Sequence, residues 1–543
     1  MYLPQMSVAL IISITLQFCI LLNDNFIQSL YIKEDSNDIM ESLKLSGRRD
    51  SFVFGKEFPV EVVLSKELKT LVLFDTFKDC LSSEEDVMNY ENEIPDNANQ
   101  HFLLFLTAND LMCGKTGLAA AYTYTQDPDT DRPLAAVIVL CRGLRFLSSN
   151  PNHLKNIMLH ELAHVFGFSY NMFPYLRYDD GTPRTQRDPR TGEPSLDETV
   201  NNGLPAADNT IIKVTRKWHS AKENKDYERI SLTLRNVVQF ARNHFRCNKL
   251  TSVDLESDGT RGTQAMHFER RLAVGELMTG YVDIMPATSN LTLNYFKDTG
   301  WYHVDLSMAE PWKWGQNLGC DFVLQSCHSY MQKRKMSNQS ISPWCDHFLG
   351  YGDRCLPYTN AYGTCNMVKF QGKLKSHHIH FNQPHNSFSD QQLTFGGLDT
   401  LADRCPFLTP LTHVNGLQKN SHCGDINNRK YENVNDVRNL QYYGKASRCF
   451  RYGTSYYDER QRHSVIAGCY KIKCTLSFQL SVQFRGEWYT CPQEGGKVEV
   501  AKDSTSNDWI ECPPYIEICS VKNTRERLRS NRIEGYRRSK NSI

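Results

Sequence analysis

No Cys-x-x-Cys pair occurs among the 18 cysteines of this sequence. The nearest pairs, Cys469/Cys474, Cys320/Cys327 and Cys512/Cys519, are too widely spaced for zinc-ribbon knuckles, and that use of the sulfur is excluded. Net charge is almost absent, since 62 Lys and Arg stand against 61 Asp and Glu, +1 overall. No global field therefore draws the chain to nucleic acid or to an anionic membrane. After the apolar run Val8 to Leu22, no second run reaches the length that crosses a bilayer. The C-terminal RERLRSNRIEGYRRSKNSI is basic and polar, so no lipid-anchor signal is expected there. There is no internal repeat and no low-complexity tract. With 40% hydrophobic and 23% charged residues, the composition is that of an ordinary folded protein.

At 543 residues the chain is too long for one core, and two to four domains are expected. The first apolar run is broken only by Ser13, Thr15 and Gln17. It suits a signal-peptide core and is short for a spanning helix, although no Lys or Arg precedes it. An uncleaved anchor is the alternative. Thirteen cysteines lie between Cys320 and Cys519, which reads as a disulfide framework formed in an oxidising compartment. Without Cys19 the count is odd, so one thiol has no assigned partner. Asn290-Leu-Thr and Asn338-Gln-Ser are glycosylation acceptors that fit secretion.

Residues 23–50 are polar and read as a leader arm. Strand-like runs follow at 58–64, 70–75, 101–108 and 135–141, separated by turn-rich stretches such as TQDPDTDRP. A sheet followed by a helix predicts an α+β fold. Beyond it, YDDGTPRTQRDPRTGEPSLDE reads as loop, 215–229 as a charged segment, and 232–245 as an amphipathic helix. From Pro311 to Cys519 the pattern is loop-rich and cystine-held, and 520–543 is a basic tail.

The stretch HELAHVFGFS organises the rest. In a helix, His160 and His164 project from one face about one turn apart, which lets both imidazoles reach a single Zn²⁺ at about 2.0–2.1 Å. Glu161 then stands beside the open position of the metal, as a general base. Pro151 and Asn152 offer a start, Leu154, Ile157, Met158, Leu159, Leu162, Val165 and Phe166 supply buried surface, and Gly167 can end the helix.

Such a centre needs a third protein ligand. In the compact metzincin pattern it is a His three residues after the Gly, but Tyr170 holds that position. The candidates further along are His219, His244 and His267. His219 lies in the most polar stretch and His244 on the amphipathic helix, where a packed role is the simpler reading. His153 shares a face with His160, but seven residues place it about 10.5 Å along the axis. His267 is followed eleven residues later by Met278 in a Gly-flanked turn, the metzincin pairing of third His and Met-turn, and is the preferred ligand. Glu269 is read either as a partner of a ligand imidazole or as a charge paired with Arg270 or Arg271.

The blocks DRPLAAVIVLC, HELAHVFGFS, DDGTPRTQRDPRTGEP, NHFRCNKLTSVDLESDGTRGTQAMHFERRL, ELMTG, KDTGWYHVD, WGQNLGCDF, LADRCPF, YGKASRCF and CPPYIEIC occur in order over about residues 100 to 519. Together they resemble the leishmanolysin family of zinc metalloproteases, most closely its animal branch of invadolysin and leishmanolysin-like peptidases. The resemblance implies a metzincin-type zincin domain interrupted by an insert. It places an N-terminal zincin subdomain with the helix at 51–168 and a central insert returning the third His and Met-turn at 169–310. A disulfide-rich C-terminal domain follows at 311–519. It also implies one Zn²⁺ per chain, His160, His164 and His267 as ligands, Glu161 as general base and Met278 as the Met-turn residue. Two stretches depart from the family: nothing upstream of Ser51 resembles its propeptide thiol switch, and residues 205–230 carry no recognisable block.

The expected activity is zinc-dependent hydrolysis of internal peptide bonds in extracellular or cell-surface proteins, with substrate extended along a strand edge near 135–141. Protein or peptide substrates are the expected partners, with no nucleic acid. Membrane association is expected only through the N-terminal apolar segment, and the chain is expected as a monomer. The alternative is a catalytically silent adhesion or decoy protein of the same fold.

Overall fold

Apolar segments ahead of the histidine helix can bury both faces only inside a covered sheet, and in a computed structural model of the chain they form one. Described are residues 117–141, 151–195, 207, 209–259, 262–348, 354–372, 374–381, 393–411, 420–431, 441–453, 465–475, 477–500 and 508–519, with the strand segments 30–32, 53–54, 58–64 and 102–108. The signal segment, the 70–75 run, Cys80, Cys113, the tail and most of the 23–50 arm lie outside the described residues. The chain divides into two compact units, residues 1–341 with 370–405, and 342–369 with 406–543.

In the first unit, β1 (Phe58–Leu64), β2 (Phe102–Ala108), β3 (Ala119–Gln126) and β4 (Pro133–Leu140) make a mixed sheet. Its order is Val53–Phe54, β1, β2, β4, β3, with β1, β2 and β4 parallel and β3 antiparallel to β4. The expectation of a substrate edge near 135–141 is corrected by this order. Val137 faces Phe105 on one side and Tyr122 on the other, so both edges of β4 are taken. The outer strand is β3, absent from the strand-like runs because its AAAYTYTQ has no aliphatic run, and Tyr122 and Tyr124 stand exposed on it.

Helix α1 (Pro151–Val165) packs on β3 and β4, and Leu154, Ile157, Met158, Leu159, Leu162, Ala163 and Val165 are buried. Burial on this scale stabilises a helix by about 1.5–3 kcal/mol for each large apolar side chain. Downstream, the charged segment 215–229 proves to be a β-hairpin, β5 (Ile211–His219) with β6 (Asn224–Leu232), extended by β7 (Val253–Asp254). Helix α2 (Arg235–Phe245) and helix α3 (Asn290–Asp298) pack together, and Asp298 accepts the Asn236 and Val237 N–H groups at the start of α2. Helix α4 (Cys327–Met336) follows. Disulfides Cys247–Cys320 and Cys327–Cys405 cross-link this unit, and Cys247 thereby takes up the odd thiol of the C-terminal thirteen.

A buried ionic network ties hairpin and helices together. Arg229 on β6 pairs with Glu269 at 3.3 Å and Asp403 at 3.1 Å, while Arg271 reaches Asp403 at 3.2 Å. Both guanidiniums lie over the Trp218 ring. Glu269 is thus neither a surface charge nor an imidazole partner. It is buried against Arg229, a residue forty positions away that spacing along the chain does not reveal.

His380 is part of the same interior, its Nε2 donating to the Asp403 carbonyl at 2.8 Å. Burial holds its imidazole down to about 4. Because the folded value lies below the unfolded one, its contribution to stability is complete above pH about 6.5 and is lost as pH falls from there toward 4. A shift of that size corresponds to about 3 kcal/mol. Denaturant titrations of zinc-free protein between pH 7 and 4 are therefore expected to fall less steeply for His380→Gln, by about one proton. Equal slopes would contradict this.

The second unit is built on a six-stranded antiparallel sheet. Its strands are β8 (Ser447–Gly453), β9 (Val465–Cys474), β10 (Leu480–Phe484), β11 (Glu487–Thr490), β12 (Gly496–Glu499) and β13 (Trp509–Cys512), in the order β11, β10, β9, β8, β13, β12. Phe450, Tyr452, Tyr470, Ile472, Val482, Phe484 and Ile510 fill its core. Disulfides 345–365, 355–449, 423–469, 474–519 and 491–512 hold it, so the expected cystine framework is present. Among the described residues no helix is long and apolar enough to cross a membrane.

Candidate metal centre

The two helix histidines owe their direction to how α1 ends. Gly167 adopts φ +116°, with its N–H on the His164 carbonyl and the Phe168 N–H on the Ala163 carbonyl, a Schellman-type stop. A Cβ at Gly167 would lie 2.6 Å from the Trp301 ring, so the turn admits no larger residue. The carbonyls beyond the helix are all used. Phe166 O accepts from Tyr302 Oη, Gly167 O from Tyr295 Oη, and Phe168 O from His164 Nδ1 at 2.6 Å.

His160 donates from Nδ1 to the Leu277 carbonyl at 2.7 Å. The same helix face carries His153 and Asn156, bonded to the Val282 and Ile284 carbonyls, so α1 grips the whole 277–284 segment. His153 is accordingly a clamp and no part of the histidine cluster.

His267 comes from a short extended segment in which Phe268 bridges both Leu255 and Thr279. Its own carbonyl accepts the Glu256 N–H, and its Nδ1 donates to the Thr263 carbonyl at 3.0 Å. The Phe268 N–H donates to the Met278 carbonyl at 2.8 Å. Met278 is fully buried in the 276–279 turn.

The structure brings His160, His164 and His267 together, each pair of Nε2 atoms lying 3.1 Å apart. All three rings are buried. Burial, together with the neighbouring His164 and His267, holds His160 well below its ordinary value. Burial holds His164 down to about 4, and burial with His164 beside it holds His267 to about 3. The rings are therefore neutral at physiological pH. With each Nδ1–H committed to a carbonyl, every Nε2 presents a lone pair to the centre. Three lone pairs pointed at one another are unfavourable until a cation shares them. Nitrogens bound at about 2.0–2.1 Å to one tetrahedral zinc stand about 3.3 Å apart, close to the triangle seen here. The donor set fits zinc.

Glu161 follows His160 on α1, three residues before His164 and hence on an adjoining face. It is 6% exposed, and burial pushes its carboxyl up to about 8. His219 is exposed on the hairpin. His244 donates to the Trp314 carbonyl at 2.7 Å and stacks on Trp312, a packed residue.

Among the described residues, two other groupings carry ligand-type side chains. Cys327 and Cys405 beside His380 are joined in a disulfide. Asp403, near Asp258 and His378, is taken by Arg229 and Arg271.

Sequence reasoning did not single out Arg270. Its buried guanidinium binds Thr279 Oγ1, the Tyr281 carbonyl, Asp283 and Asp399, and so fixes the chain beyond the turn. Nor did it find Glu276, whose only local sign is a lone acid in the apolar stretch AVGELM.

A family model for leishmanolysin, peptidase M8, matches residues 208–525, a span that holds His267 and Met278 and begins downstream of α1. Leishmanolysin-like peptidase of Drosophila pseudoobscura pseudoobscura is 31% identical over 442 residues, 78% of this chain and 64% of the fly protein. The Caenorhabditis elegans protein of the same name is 30% identical over 473 residues, 82% and 70% of the two chains. Leishmanolysin of Leishmania major is 23% identical over 434 residues, 78% and 60%. The chain thus spans about two thirds of the length of its animal relatives. A family match across more than half of the sequence, joined to this level of identity, makes the chain a member of the leishmanolysin family.

Proposed function

We propose that the chain is a zinc-dependent endopeptidase of metzincin type, with one Zn²⁺ held by His160, His164 and His267, Glu161 as proton carrier and Met278 in the Met-turn. The observation that carries this reading is the triangle of buried Nε2 lone pairs, each fixed by a carbonyl on its own Nδ1. Zinc held by His160, His164 and His267 would supply Lewis acidity toward a scissile carbonyl and would make the attacking water more acidic.

The chain's own residues do the rest. A carboxylate oxygen of Glu161 takes the proton of the attacking water as the new C–O bond forms. It then delivers that proton to the amine nitrogen as the C–N bond breaks. The apolar side chains around α1 exclude other water and keep the histidines neutral. Substrate extends along the outer strand β3, pairing with its backbone by β-augmentation beside Tyr122 and Tyr124. The disulfides support an extracellular or cell-surface setting with protein or peptide substrates.

Cleavage of a mixed peptide library tests the reading. Zinc-loaded protein is expected to cut internal bonds, to lose the activity in a chelator and to regain it with about one equivalent of zinc. Cleavage that survives complete metal removal would overturn the reading, as would zinc-loaded protein that cuts nothing.

A further inference from the structure

Glu276 carries an acid into a place where an acid is costly. Its side chain is fully buried, and among the described residues no Lys or Arg forms a salt bridge with it. Taking a carboxylate out of water without a cation is expensive unless several donors converge on it. Here they do. Oε2 accepts the Met278 N–H at 2.6 Å. Oε1 accepts the Thr292 hydroxyl at 2.6 Å, the Ser289 hydroxyl at 3.0 Å and the Ser289 N–H at 3.4 Å.

These bonds join two elements that reach the histidines by separate routes. One is the 276–279 turn. Its Leu277 carbonyl orients His160, and its Met278 carbonyl holds Phe268, the neighbour of His267. The other is the start of α3, where Ser289 caps the Leu291 N–H. Further along α3, Tyr295 binds the Gly167 carbonyl, one residue before the Phe168 carbonyl that orients His164. Arg270, His153 and Asn156 grip residues 279–284 beyond the turn. At the Met278 N–H the partner is Glu276 itself.

We propose that Glu276 is a positioning residue for the metal centre, its carboxylate locking the 276–279 turn to the start of α3 and thereby fixing the ring of His160. This rests on the reading of His160, His164 and His267 as the zinc ligands. Residues that orient ligands from behind typically change metal affinity by about 10–100-fold when removed.

The test compares wild type, Glu276→Ala, Glu276→Gln and His160→Ala. Zinc affinity is read by competition with a chromophoric chelator, and ligand geometry by the visible spectrum of the Co²⁺-substituted protein. Folding is checked by circular dichroism. E276A is expected to bind zinc about 10–100-fold more weakly and to show an altered Co²⁺ spectrum while folded. E276Q is expected to stay within about threefold of wild type. Its amide oxygen still accepts the Met278 N–H, the two hydroxyls rotate to accept from its NH₂, and only the long Ser289 N–H contact at 3.4 Å is lost. A folded E276A with wild-type affinity and spectrum would overturn the assignment.

Were E276A not to fold, hydrogen exchange on wild type decides instead. Removing zinc is expected to raise exchange at Met278 and at Leu291–Leu293 together while α2 stays protected. Unchanged protection at both sites would overturn the proposal. If His160→Ala also binds zinc normally, the ligand reading itself fails, an outcome distinct from a failure of Glu276 alone.

Discussion

Glu161→Gln is expected to keep about one zinc per chain and to lower kcat by about a hundred- to ten-thousand-fold. Gln matches the carboxylate in shape but cannot take a proton from water at neutral pH, so only the transfer steps are lost. The imidazoles that hold the metal have their own carbonyl partners at Leu277, Phe168 and Thr263, none of which involves Glu161. Zinc affinity and stability should therefore change little, and KM should move less than kcat. Burial in the zinc-free site pushes the Glu161 carboxyl up to about 8, and a cation held by the neighbouring histidines would favour its charged, proton-accepting form. Zinc content by mass spectrometry and turnover of one library-derived peptide check it. Turnover within a few-fold of wild type would move the base elsewhere.

His267→Ala is the second large effect, since it removes one of three ligands and leaves two imidazoles on one helix face. His267 is brought to the centre from 103 residues beyond His164. The segment that returns it is tied down on both sides, by Glu256 through the His267 carbonyl and by Met278 through Phe268. Truncating the ring should leave those backbone bonds in place, so the loss is expected in metal binding and not in folding. His244→Ala and His219→Ala serve as controls: the first unpacks Trp312 and costs stability, and the second alters an exposed residue.

How far the site was legible in the sequence follows the range of each interaction. His160, His164 and the Gly167 stop are a local matter of helical spacing and one special φ, and both can be read from a dozen letters. His267 needed its pairing with Met278 and a resemblance to a known family, because no periodicity spans a return of that length. The bonds that orient the rings were invisible, since they go to backbone carbonyls whose positions only the fold determines.

The hairpin at 211–232 was hidden for a related reason. Its Arg216, Trp218 and Arg229 look like a solvated run, yet each turns inward to Asp254, His377 and Asp403. Those partners lie up to 174 residues away, so the charges read as surface until the acids are placed beside them. Strand β3 was missed because alanines and threonines carry little hydrophobic signal, although pairing with β4 makes it the outer edge. Glu276 and Arg270 look like ordinary charges in the chain, and only burial gives them roles.

The zinc stoichiometry of His267→Ala, measured beside wild type at equimolar zinc after gel filtration, tests the three-histidine centre most directly. About one zinc is expected in wild type and close to none in the variant, with the fold retained. A folded His267→Ala that keeps a full equivalent of zinc would contradict it, and would place the third ligand elsewhere.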